Sequence, residues 1–130
     1  MNIVVFIKEI QMKTILGVLF MLISNLSFAG DVFEIVSFKF KDGVKVEEQK
    51  KLMVELDKVL IGYEGFKSRD YYFSPEDGRW IDLVVWTDVK LAKKASDTAM
   101  KDPKAAVVFS KIDDKTTVFS HYERVGGVKK

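Results

Sequence analysis

From Val32 onward the apolar positions keep two different rhythms. Residues 32–41 alternate with a period of two, with Val32, Glu34, Val36, Phe38 and Phe40 on one side and Phe33, Ile35 and Ser37 on the other. That alternation predicts a strand. Both of its sides are largely apolar, so both should be covered. Asp42-Gly43 is a turn signal that ends it. The period then lengthens. Val46, Leu52, Met53, Leu56, Val59 and Leu60 recur at steps of three and four, opposite Lys45, Glu48, Lys51, Glu55 and Lys58. This predicts an amphipathic helix over 44–61, with Glu47 and Lys51 as a favourable pair and Gly62 as its stop. Strands are predicted at 66–73 and 79–86, joined as a hairpin by the turn residues Ser74-Pro75-Glu76-Asp77-Gly78. Thr87 or Asp88 caps a helix reaching about Met100. Asp102-Pro103 opens a short helix to about Ile112, with proline at its first position. Residues 116–125 form the last strand.

The order is β-α-β-β-α-β, which predicts an α+β, ferredoxin-like antiparallel sheet with helices on one face. In the strand order 4-1-3-2 the first strand lies between the fourth and the third, and we expect it to run parallel to the third. Helices can cover only one sheet face, and Val36, Phe38, Val84 and Trp86 are assigned to the other. An apolar patch of that size calls for a partner. The expectation is a homodimer closing two sheets into an α/β barrel, with a cavity between sheet and helices or between the sheets.

Ahead of the first strand lies a different kind of segment. Lys13 precedes an apolar run from Ile15 to Leu26, and Ser27-Phe28-Ala29 places small residues at both positions that matter for a cut after Ala29. A positive start, a short apolar core and a small-x-small exit predict a signal peptide over 1–29. The run is too short to span a bilayer. Met12 starts a better signal than Met1, because Glu9 spoils the upstream charge, so 1–11 reads as a start-site artefact. The expected organisation is a signal peptide at 1–29, one domain at 30–126 and a tail at 127–130. The mature protein is then periplasmic or secreted, with no stable membrane insertion.

Composition narrows the chemistry. The full chain has a net charge of +2, and losing Lys8, Lys13 and Glu9 leaves the mature part near neutral. That gives no electrostatic footprint for nucleic acid. There is no cysteine and only one histidine, His121. Thiolate chemistry, iron–sulfur clusters and multi-histidine metal sites are thereby excluded.

Phe38-Lys39-Phe40-Lys41-Asp42-Gly43, Gly65-Phe66-Lys67-Ser68 and Ile81-Asp82-Leu83-Val84-Val85-Trp86-Thr87-Asp88, with the helix between the first two, resemble the antibiotic-biosynthesis-monooxygenase domain. This is a branch of the dimeric α+β barrel superfamily, and the likeness extends over about 32–125. The resemblance implies oxygenation of a small aromatic or quinol without metal or flavin, so no cofactor and no metal site is expected. Trp86 matches a tryptophan that recurs at the end of the third strand. In the haem-degrading branch it is joined by an asparagine and a histidine. The corresponding places here read Val36 and Ala105-Ala106-Val107-Val108-Phe109, so haem degradation is not implied.

Glu34, Asp82 and Trp86 share a side-chain parity. On the last strand Phe119, His121, Glu123 and Val125 share one too, and an antiparallel pairing is expected to bring His121 near Val36 and Glu123 near Glu34. Asp82, His121 and Glu34 are the candidate proton-transfer residues, since a crowded carboxylate or a histidine can serve as general base. Trp86, Val36, Phe38 and Val84 are the candidate substrate-binding residues. The plainer account is open beside it: Glu34 and Asp82 lie near strand ends, solvated or paired with Arg79 or Arg124, and Trp86 is simple packing. The alternative function is a non-catalytic periplasmic binder of a small apolar ligand, or a structural dimer whose barrel its own aromatics fill.

Overall fold

The computed structural model describes residues 30–130. The elements are β1 (Val32–Phe40), α1 (Val46–Leu60), β2 (Phe66–Ser74), β3 (Arg79–Trp86), α2 (Val89–Ala99), α3 (Pro103–Ser110) and β4 (Ile112–Glu123). Their order is the α+β, ferredoxin-like one that the periodicity predicts. The two later helices start where their caps require. Asp88 accepts hydrogen bonds from the Lys90 and Leu91 amides, and Asp102 from those of Lys104 and Ala105. These bonds satisfy amides that a helix start leaves without partners. The predicted signal peptide lies outside the described residues. Among the described residues no helix is long and apolar enough to cross a membrane.

The sheet order is β2-β3-β1-β4, and every neighbouring pair is antiparallel. This corrects the expectation that β1 and β3 run parallel. The crossover through α1 makes β1 and β2 parallel, and β3, as the hairpin partner of β2, enters between them in the opposite sense. β4 also starts earlier than its pattern suggests. Its register against β1 jumps from Ser37 opposite Val118 to Lys39 opposite Asp113. Residues 114–117 bulge there, pinned by the Thr116 hydroxyl, which accepts from the Lys39 amide and donates to the Asp113 carbonyl.

A second correction concerns the faces. Phe38, Val84 and Trp86 are buried on the face that the helices cover, and half-buried Val36 packs there too. The face without helices carries half-buried Phe33, Ile35, Leu83 and Val85, with Ile81, Val118 and Tyr122 exposed. When both faces of a strand are apolar, alternation separates two sets of residues and leaves open which set the helices take.

Under the helices the core divides in two. One cluster gathers Phe38, Phe40 and Trp80 against Leu52, Met53 and Leu56 of α1 and Ala105 and Val108 of α3. Trp80 is its centre, 5.0 Å from Phe73 and 6.3 Å from Phe40 between ring centroids, with its indole N–H donated to Gln49. The other cluster joins Val32, Val84 and Trp86 to Ala92 and Ala95 of α2. Gly65 brings the start of β2 against α2: it has φ +85°, and a Cβ there would lie 2.9 Å from the Leu91 Cβ. Only glycine suits both demands.

Arg69 ties the sheet to α1. Its side chain is 2% exposed, yet it carries a full charge. Its Nε and Nη2 donate to both oxygens of Asp82 at 2.8 Å. Its Nη1 donates to Asp57 at 2.6 Å and to the Met53 carbonyl at 2.7 Å. The Tyr71 hydroxyl completes the set by donating to Asp57. Asp82 is therefore buried and held by Arg69, rather than solvated or paired with Arg79 or Arg124. Arg79 instead meets Asp77, Ser37 and the Thr116 carbonyl. Removing one partner of such a pair strands a buried charge. Arg69→Ala should destabilise the fold by about 3–5 kcal/mol, measured by denaturant unfolding. A loss below about 1 kcal/mol, the range of exposed pairs, would show that the network carries little.

Candidate active site

The inward face of α2 is made of small residues. Ala92, Ala95 and Ala99 are buried there, and Ser96 stands among them. Side chains of that size cannot reach the sheet everywhere, and a void remains between the two core clusters. This cavity measures about 400 Å3, within the range of small-molecule sites. Val36, Phe38, Val84 and Trp86 line it on the sheet side, with Leu56, Leu60, Ala99 and Phe109 on the helix side. Met100, Asp114 and Phe119 are exposed and also line it, so they mark its mouth.

Two carboxylates belong to this apolar wall, and both are buried: Glu34 is 7% and Asp82 6% exposed. They come from adjacent strands, Glu34 opposite Val84 and Asp82 opposite Val36. Their surroundings differ. Both oxygens of Asp82 are occupied by Arg69. Glu34 has no cation comparable to Arg69. Its Oε2 lies 2.9 Å from His121 Nε2 and accepts a long hydrogen bond from the Ser96 hydroxyl at 3.4 Å. Its Oε1 takes no hydrogen bond from the described residues.

Burial dominates the titration of both acids. The Glu34 carboxyl is pushed up to about 7, chiefly by burial, with Ser96 opposing and the Asp82 charge adding to the rise. Asp82 is also raised by burial, against the pull of Arg69. His121 is lowered by burial and by the charge of Lys93. Near neutrality the imidazole is therefore uncharged and Glu34 is close to half protonated. The short contact between them is then a hydrogen bond around one titrating proton. A group poised near the working pH is suited to moving protons.

The sequence-predicted residues are thus largely brought together. Glu34, Asp82, Trp86, Val36, Phe38 and Val84 all line one cavity, and His121 joins it through Glu34. One expected detail is corrected. His121 stands opposite Glu34 rather than Val36, and Glu123 stands opposite Val32 rather than Glu34. A slip of two residues keeps every side chain on its face, so these side chains keep the expected facing with different partners. Trp86 is 1% exposed, and its indole N–H has no hydrogen-bond partner among the described residues. Arg69, Ser96 and the alanines of α2 were not singled out in the sequence. The alanine spacing on an otherwise polar helix was the available signal. Among the described residues no group of three or more acidic or histidine side chains is placed to hold a metal ion.

The Glu34 environment has a measurable consequence for stability. In the unfolded chain this proton leaves near 4.5, and in the folded protein near 7. Over that window the native state binds more proton than the unfolded state, so stability falls as pH rises. The penalty is complete above about 7. Glu34→Gln should therefore flatten the pH dependence and exceed the parent in stability at about pH 8, by roughly 1–3 kcal/mol. His121 acts in the opposite sense below 6.5, its ordinary value, because its folded form resists protonation. Paired denaturation curves across pH measure the difference; parallel curves would mean that Glu34 titrates normally.

No family model matches the sequence, and neither does any curated protein. Solved structures do share its fold. SnoaB, a cofactor-independent oxygenase from Streptomyces nogalater, superposes with a TM-score of 0.62 at 14% identity, over 78% of this chain and 100% of its own. A provisionally named antibiotic biosynthesis monooxygenase from Bordetella bronchiseptica gives 0.59 at 16% identity, over 74% and 98%. A provisionally named monooxygenase from Shewanella loihica gives 0.60 at 13%, over 77% and 99%. At these identities the likeness is one of fold. The chain has the fold of proteins that bear the antibiotic biosynthesis monooxygenase name, as the resemblance of its strands implied.

Proposed function

We propose that the protein is an exported, cofactor-independent oxygenase of a small aromatic alcohol or quinol. The observation that carries this reading is the buried Glu34 carboxyl, held near 7 on the wall of an apolar cavity, with one oxygen that takes no hydrogen bond from the described residues. The names of the fold neighbours, one of them a cofactor-independent oxygenase, support the reaction class.

Ionised Glu34 takes the hydroxyl proton of a bound phenol. His121 holds the carboxyl in place through Oε2, which leaves Oε1 to take the ligand proton. The resulting anion is electron-rich at the ring carbon opposite its oxygen and reduces dioxygen there, forming a carbon–oxygen bond. The ring proton passes to the outer peroxide oxygen, the oxygen–oxygen bond breaks as the ring carbon becomes a carbonyl, and protonated Glu34 returns its proton to the departing hydroxide. Phenol and dioxygen become quinone and water. The protein supplies position, a proton acceptor and a dry enclosure. A reaction that draws on no cellular reductant is compatible with work outside the cytosol. The non-catalytic binder shares the cavity but needs no titrating acid inside it.

Oxygen uptake with a panel of phenols and quinols tests this reading. Turnover should rise with pH through about 7, because the base works when ionised, and Glu34→Gln should lower it about 100-fold or more. Absence of uptake across the panel would leave the binder.

The apolar sheet face opposite the helices supports a homodimer in which two such faces meet. The pattern ending at Ala29 supports export. Protein recovered from a periplasmic fraction should begin at Gly30 and sediment as a dimer. A monomer, or a chain retaining its first 29 residues in the cytosol, would remove the corresponding half of this proposal.

A further inference from the structure

We propose that the cavity selects uncharged hydrogen-bond donors and rejects anionic aromatics. This inference rests on the reading that a small aromatic occupies the cavity, and it concerns which one. The polar lining is unbalanced. Glu34, Asp82 and Asp114 bring three carboxylates, while among the described residues no lysine, arginine or histidine lines the space. Arg69 is bonded to Asp82 of the lining, and its donors are directed to Asp82, Asp57 and the Met53 carbonyl; His121 meets Glu34 and is held uncharged near neutrality by burial and the Lys93 charge. Neither is part of the lining. Of the lining hydroxyls, Ser96 donates to the Ala92 carbonyl or Glu34, and Thr117 donates to the Asp113 carbonyl.

A ligand carboxylate would leave water for a wall that offers it no cation. It would meet carboxylates through a medium of low polarity, where like charges repel more strongly than in water. A neutral hydroxyl suffers neither cost and finds an acceptor in Glu34. Discrimination of this kind comes from the penalty on the wrong ligand as much as from contacts with the right one. Asp114 is exposed at the mouth, so it adds repulsion along the way in and can be exchanged with little risk to folding.

Calorimetric titration of the mature protein under argon, at about pH 8 where ordinary carboxylates are ionised, separates the cases. The probes are a naphthol and a hydroxynaphthoate of the same ring system. The naphthol should bind at least about tenfold more tightly, and Asp114→Lys should narrow the gap by strengthening hydroxynaphthoate binding. Equal affinities in the parent protein would overturn the selection while leaving the aromatic-site reading intact. A gap that Asp114→Lys leaves unchanged would also overturn it, since size and not charge would then discriminate. Binding of neither probe would overturn the aromatic-site reading and the selection with it.

Discussion

The Arg69 guanidinium decides how charge is distributed inside this protein. It is the buried cation where sheet and α1 meet, and its donors are committed to Asp82, Asp57 and a main-chain carbonyl. That commitment has consequences for the fold and for Asp82. It fixes α1 over β2 and β3 by directional bonds that apolar contacts alone would not provide. It also gives Asp82 a partner of a kind that Glu34, on the strand beside Asp82's, does not have among the described residues. A single buried arginine thus compensates Asp82, while Glu34, two strands from Arg69, has only His121 and Ser96 as hydrogen-bond partners among the described residues. Burial then raises Glu34 because nothing of equal strength opposes it.

The space those carboxylates face has an equally simple origin. Leucines, phenylalanine and tryptophan fill the region under α1 and α3, whereas α2 presents alanines and a serine. Small residues let the α2 backbone approach β1 and β3 near Trp86, and farther along they leave a gap. A fully packed interior would gain dispersion contacts there. The fold gives them up at the place where two strands turn acidic side chains toward the helices. Void and acid together are an arrangement that stability alone does not favour.

Much of this was legible in the sequence because periodicity is a local property. The alternation in 32–41 and 79–86 and the three-to-four spacing in 44–61 each report one element, and each element is present. What failed depended on long-range pairing. The relative direction of β1 and β3 follows from the crossover through α1, which no single strand encodes. Which apolar face the helices take was undetermined because Val36 and Ile35 are equally good core residues. The partner of His121 shifted from Val36 to Glu34 because β4 bulges at 114–117, and its register depends on that bulge. Arg69 sits in a strand among exposed Lys67, Ser68 and Asp70, so nothing in the local pattern marks it as buried. Only the packing of α1 reveals that it is buried.

Two carboxylates in one cavity invite the question of which can accept a proton from a ligand, and the hydrogen bonds answer it. Burial raises both, so basicity alone does not separate them. Availability does. A carboxylate gripped at both oxygens by a planar guanidinium presents no free lone pair in the direction of its bonds, and protonating it would break a charge-assisted pair. Asp82 is in that position. Glu34 uses one oxygen for His121 and Ser96 and keeps the other unbonded to the described residues. Its neighbour His121 is neutral near pH 7 and does not pin it as an anion. The pair of environments separates the two acids: Asp82 is held by Arg69 as an anchor for the fold, and Glu34 is the one that the proposed reaction uses as proton acceptor.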